Sequence, residues 1–123
     1  MTTKTCKFVI QEHSEAGKVH WDLMLEAGFS LKTYLLELPP EKPPYQNTTA
    51  TKIFDNPLKF LTYEGSVNDG RGNVKIADAG TYHTLCEGEN CWELQLDGSI
   101  LKGKFILTHL EGDKWEFSSS QGR

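Results

Sequence analysis

Apolar and polar residues alternate along much of this chain, in short runs separated by turn-forming residues. In Val19–Glu26, Val19, Trp21, Leu23 and Leu25 share one face, and His20, Asp22, Met24 and Glu26 share the other. That period of two predicts a strand with one buried side. Lys7–Gln11 and Ser30–Leu36 read as strands on either side of it. Thr48–Thr51 is polar and β-leaning, and Leu58–Tyr63 fits a short strand or one helical turn. Val74–Ile76, Gly80–Leu85, Cys91–Leu96, Leu101–Leu107 and Trp115–Ser119 follow as further strands. Between them lie Asp78-Ala79-Gly80, Glu87-Gly88-Glu89-Asn90, Asp97-Gly98 and Glu111-Gly112-Asp113, all rich in turn residues. Pro39–Pro44 is a stiff loop, Asn56-Pro57 breaks the chain, and Gly65–Gly72 reads as a long turn or binding loop. No segment holds a helical period beyond two turns. The prediction is an all-β fold, a small antiparallel β-barrel or sandwich of about eight strands.

Composition narrows the picture. With 123 residues the chain has room for one core, and 3 Trp, 6 Phe and 4 Tyr supply bulky filling for it. Lys plus Arg is 13 against 17 Asp plus Glu, a net charge of −4, and the arginines are Arg71 and Arg123. Bulk coating of nucleic acid is therefore excluded, although a local phosphate site is not. No apolar run approaches the ~20 residues that span a bilayer, and Met1-Thr2-Thr3-Lys4 lacks a signal-type apolar region. The expectation is a cytoplasmic protein without membrane contact. Three cysteines fit no disulfide framework. Cys86 and Cys91 flank a turn and read as reduced thiols at the ends of a hairpin, the alternatives being mutual oxidation or metal binding.

The residues that carry chemistry lie near the N-terminus. His20 and Asp22, two apart on a strand, point to one face. His13 closes the preceding strand, and a loop containing Gly17 can bring it beside His20. Two imidazoles and a carboxylate suit a divalent transition metal, and three protein ligands leave positions open for water and substrate. The competing account is a solvated polar face with two surface histidines.

The stretch Gln11-x-His13, a short loop, then His20-x-Asp22-x-x-Leu25-Glu26 resembles the opening of the 3′-phosphoesterase domain of bacterial DNA ligase D and its stand-alone relatives. Asp55-Asn56-Pro57-Leu58, Glu64-Gly65, Asp78-Ala79-Gly80-Thr81-Tyr82, Leu101-Lys102-Gly103-Lys104-Phe105 and Trp115 continue the likeness in order, so that it covers nearly the whole chain. The resemblance implies a single such domain over residues 1–123, built as a β-barrel whose face carries the active site. It implies a manganese-type metal, zinc being the alternative, held by His13, His20 and Asp22. It also implies removal of 3′-terminal phosphates or ribonucleotides during break repair, on nucleic-acid 3′ ends and beside ligase or polymerase proteins.

The chain departs from the family pattern where phosphate is gripped. The family's arginine falls on Met24, its histidine on Asn56, its tyrosine on Phe60 and a basic residue on Thr48. A thioether cannot make guanidinium's bidentate contact, and asparagine donates a hydrogen bond but no proton near neutral pH. Two lost contacts of roughly 1.5–3 kcal/mol each would cost on the order of 10²–10⁴ in rate or affinity. Three readings follow: a metal site for a less charged substrate, a weakened phosphoesterase in which Lys52, Lys18 or Arg71 supplies charge, or a non-catalytic binding relative. Asn56 and Glu64 are the catalytic candidates, and Lys52 and Arg71 the phosphate-binding ones. Glu64 serves equally as a base, as a ligand through water, or as an acceptor for loop amides. His83 and His109 read as surface residues, and Trp21 and Trp92 as core.

Overall fold

The computed structural model describes residues 5–119. Met1–Lys4 and Arg123 lie outside the described residues. Strands β1 (Cys6–Glu15) and β2 (Lys18–Ala27) form an antiparallel hairpin in which Glu15 faces Lys18. Only Ala16 and Gly17 connect them, both in the left-handed region at φ 54° and 75°. Two positive φ values are what a two-residue turn needs to match strand twist. The expected loop between the histidines is thus a tight turn, and both strands run on through the predicted site.

β3 (Ser30–Leu36) pairs with β2, and β4 (Thr48–Pro57) with β3. The Pro39–Pro44 loop intervenes, and β4 runs through Asn56 to end at Pro57, where Leu58–Leu61 makes one 3-10 turn. β5 (Gly65–Val67) is a three-residue strand within the expected loop. β6 (Gly72–Glu87), β7 (Cys91–Gly98), β8 (Lys102–Glu111) and β9 (Lys114–Ser119) complete the chain. The order β1-β2-β3-β4-β9-β8-β7-β6 closes through β1–β6 pairing into an eight-stranded antiparallel barrel, and β5 adds to β6. An all-β barrel of about eight strands is what the alternation predicted. Cys86 and Cys91 stand at the ends of the β6–β7 hairpin as free thiols. Among the described residues no helix is long and apolar enough to cross a membrane.

Two expected strands are one. Val74–Ile76 and Gly80–Leu85 lie on the 16-residue β6, and Asp78-Ala79-Gly80 is not a turn. Gly80 sits opposite Gly98 of β7, and a Cβ on Gly80 would lie 2.1 Å from the Asp97 carbonyl oxygen. The glycine here permits close strand approach rather than reversal. Gly80→Ala is accordingly expected to lower stability by about 1–3 kcal/mol, read as a shift in urea midpoint. Gly88→Ala, whose nearest neighbour is 3.9 Å away, is the control expected to stay within ~0.5 kcal/mol.

The interior is filled by one apolar cluster that includes Phe8, Ile10, Leu23, Leu25, Trp92, Phe105 and Phe117. Each such side chain contributes roughly 1.5–3 kcal/mol on burial. Trp21 packs against this cluster, so both predicted core tryptophans face inward. Tyr34 and Tyr82 lie there too. Burial raises the Tyr34 phenol to about 12 and the Tyr82 phenol further still.

A second cluster forms on the outside of the barrel. Val9, Met24 and Leu31 point outward from β1–β3, and Leu58, Phe60, Leu61 and Ile76 pack over them. The polar face of β2 is therefore covered by the chain that follows β4, and Met24 is only 3% exposed.

Candidate metal centre and cleft

The β1–β2 register sets His13 directly opposite His20, and Gln11 opposite Asp22. The two imidazole centroids are 4.7 Å apart. His20 Nε2 lies 3.0 Å from Asp22 Oδ1, and His13 Nδ1 lies 3.6 Å from Asp22 Oδ2. One donor atom from each of the three residues falls within 4.8 Å of the others, so together they can hold a metal ion.

Three details fit that use. Asp22 is buried, and its Oδ1 has no hydrogen-bond partner despite the nearby imidazole. A buried carboxylate oxygen without a donor is costly unless a cation completes it. His13 Nε2 donates to Glu15 Oε1 at 3.1 Å, which turns Nδ1 and its lone pair toward Asp22. Asn68 Nδ2 donates to the same oxygen at 2.7 Å. These two bonds, the Asn68 bond first, hold the Glu15 carboxyl below the usual glutamate range. Gly72 leaves the room they need, since a Cβ there would lie 2.7 Å from Glu15 Oε1.

Gln11 joins the site to its cover. It is fully buried, and its Nε2 donates to the Phe60 and Tyr63 carbonyls at 3.0 and 2.8 Å. Two carbonyl partners fix the amide orientation, which leaves Oε1 as a buried acceptor without a partner. Glu15, Asn68 and Gly72 carry parts of the site that sequence reading missed. For Glu15 a signal existed, because Gln11, His13 and Glu15 alternate on one strand face.

Above the triad opens a cleft of about 370 Å³. Its polar lining is Gln11, His13, His20, Asp22, Asn56 and Asn68, and its walls include Met24, Leu35, Ile53, Phe54 and Phe60. Asn56 thus reaches the site, with Nδ2 donating to Thr33 Oγ1 at 3.0 Å. Glu64 does not line the cleft; its Oε2 accepts the Ile76 N–H at 2.8 Å. Neither Lys52 nor Arg71 lines it. Lys52 Nζ is held by the Ile53 carbonyl and lies 3.4 Å from Asp55 Oδ1, while Arg71 Nε donates to the Asn68 carbonyl at 3.0 Å. Thr48 is buried in register with Phe117, outside the lining. His83 lies on β6 beside a separate shallow pocket, and His109 Nε2 bonds the Gly112 carbonyl.

Residues 11–109 match the family described as the DNA ligase D 3′-phosphoesterase domain. The multifunctional non-homologous end joining DNA repair protein LigD of Mycobacterium tuberculosis is 32% identical over 115 residues, 88% of this chain. The LigD proteins of Pseudomonas aeruginosa and Mycolicibacterium smegmatis are each 29% identical, over 90% and 89% of the chain. The chain spans 15%, 14% and 16% of the lengths of these three relatives. The match runs through both histidine strands, the covering segment and the β6–β8 sheet, and this chain belongs to the DNA ligase D 3′-phosphoesterase domain family.

Proposed function

We propose that this protein hydrolyses phosphoesters at nucleic-acid 3′ ends in DNA repair, with a divalent metal, manganese before zinc, held by His13, His20 and Asp22. The observation that carries this is the buried, unpartnered Asp22 Oδ1 between two facing imidazoles at the floor of a cleft. When bound, such an ion supplies charge neutralisation at a phosphoryl oxygen. The chain's own residues do the rest. Asn56 spends one amide hydrogen on Thr33 and keeps the other for a phosphoryl oxygen. Because it cannot donate a proton near neutral pH, protonation of the leaving oxygen falls to water. Gln11 Oε1 offers an acceptor to a hydroxyl entering the cleft. Glu64 acts as a positioning residue that holds β6 against the covering segment. This reading sets the protein in the cytoplasm, beside the ligase and polymerase activities of end joining.

Calorimetric titration with manganese tests the reading. Wild type is expected to bind one ion. His20→Ala is expected to weaken that binding by more than ~100-fold, beyond the 10–100-fold typical of an outer-shell loss. Equal binding by both proteins would remove the metal site from the reading. A second, non-catalytic reading draws on the absence of lysine and arginine from the cleft lining. Turnover of a 3′-end primer above a metal-free control, lost in Asp22→Asn, would dismiss it.

A further inference from the structure

We infer that the cleft is built for a terminal nucleoside joined through a phosphodiester, and that it discriminates against a terminal phosphate monoester. This rests on the proposed 3′-end reading and names the substrate class of that site.

The first argument is charge. Among the lining residues Asp22 is the one carboxylate, and none is lysine or arginine. Lys52 is engaged with the Ile53 carbonyl and Asp55, and Arg71 with the Asn68 carbonyl. A divalent ion on the triad therefore leaves the lining residues with a net charge no higher than about +1, and the Glu15 carboxylate bonded to His13 lowers it further. A phosphodiester brings one negative charge to such a site. A phosphate monoester carries about −1.5 to −2 at pH 7, and the excess would sit uncompensated against apolar walls.

The second argument is shape and surface. The walls are apolar, and Phe54 at the cleft is 76% exposed. A phenyl ring left in water on a site wall offers the face on which a nucleobase stacks. Phe60, fixed by the Gln11 bond to its carbonyl, stands on the same cleft. Met24, 3% exposed, adds a thioether to the same lining.

Fluorescence anisotropy tests this with three labelled primer–templates, whose primers end in a 3′-hydroxyl ribonucleoside, a 3′-hydroxyl deoxynucleoside or a 3′-phosphate. Each is measured without metal and with manganese. The two nucleoside ends are expected to bind about tenfold tighter than the phosphate end, and Phe54→Ala to erase that advantage while leaving the phosphate end unchanged. Met24→Arg is expected to improve binding of the phosphate end. Phe54 is exposed, so its variant folds and keeps the test decisive should Met24→Arg fail to fold. A phosphate end that binds wild type as tightly as the nucleoside ends overturns the inference and leaves the 3′-end reading standing. Loss of affinity for all three ends in Phe54→Ala does the same. If none of the ends outcompetes a closed hairpin with no free 3′ terminus, both fall.

Discussion

Asp22→Asn is expected to reduce 3′-end hydrolysis by on the order of 10³-fold or more, about 4 kcal/mol of transition-state stabilisation. The substitution keeps the shape and one acceptor oxygen but removes the only carboxylate in the cleft lining. Stability should move the other way. The metal-free protein carries a buried carboxylate whose Oδ1 lacks a hydrogen-bond partner, so the neutral amide is expected to leave unfolding free energy unchanged or raise it slightly. Stabilisation by added manganese, about 2.7 kcal/mol at a hundredfold excess over Kd, is expected in wild type and lost in the variant. A variant that retains both turnover and the metal-dependent shift in Tm would show that Asp22 plays no part in the site.

Asp78→Ala is expected to cost about 3–5 kcal/mol of stability in urea denaturation. Asp78 is buried on β6, and its Oδ1 accepts the backbone N–H groups of Ala79, Ser99 and Ile100 at 3.0, 2.8 and 3.0 Å. Its Oδ2 accepts the Leu101 N–H at 2.9 Å. One carboxylate thereby closes the β7–β8 turn against β6, and alanine would strip the partner from all four donors. Asp78→Asn should recover part of the loss, because one oxygen remains while an NH₂ group then faces backbone donors. A change below ~1 kcal/mol in Asp78→Ala would mean that water replaces the carboxylate fully.

Asp78 also shows why some of the fold could not be read locally. Asp-Ala-Gly looks like a turn in isolation, yet it serves residues 21 to 23 positions downstream. The glycine in that stretch marks no reversal; it is there because β6 packs closely on β7. The Gly65–Gly72 stretch likewise holds a short strand because the part of β6 beyond β7 has an edge left to pair. Lys52 and Arg71 had the right charge for phosphate. Their side chains are committed to Ile53, Asp55 and Asn68, neighbours within three residues, and neither lines the cleft.

What the sequence determined by itself is the all-β alternation, the shared outward face of His20 and Asp22, and the meeting of His13 with His20. These depend on a period of two and on a two-residue turn, interactions within about ten residues of chain. Tertiary structure alone decided that this face is not solvated. The segment after β4, tied down through Gln11 and packed on Val9, Met24 and Leu31, covers the outer barrel wall and turns a polar strand face into a cleft. Burial then withdraws from the Asp22 carboxylate the water that would solvate it on an open strand and leaves it facing two imidazoles with which it could hold a metal ion.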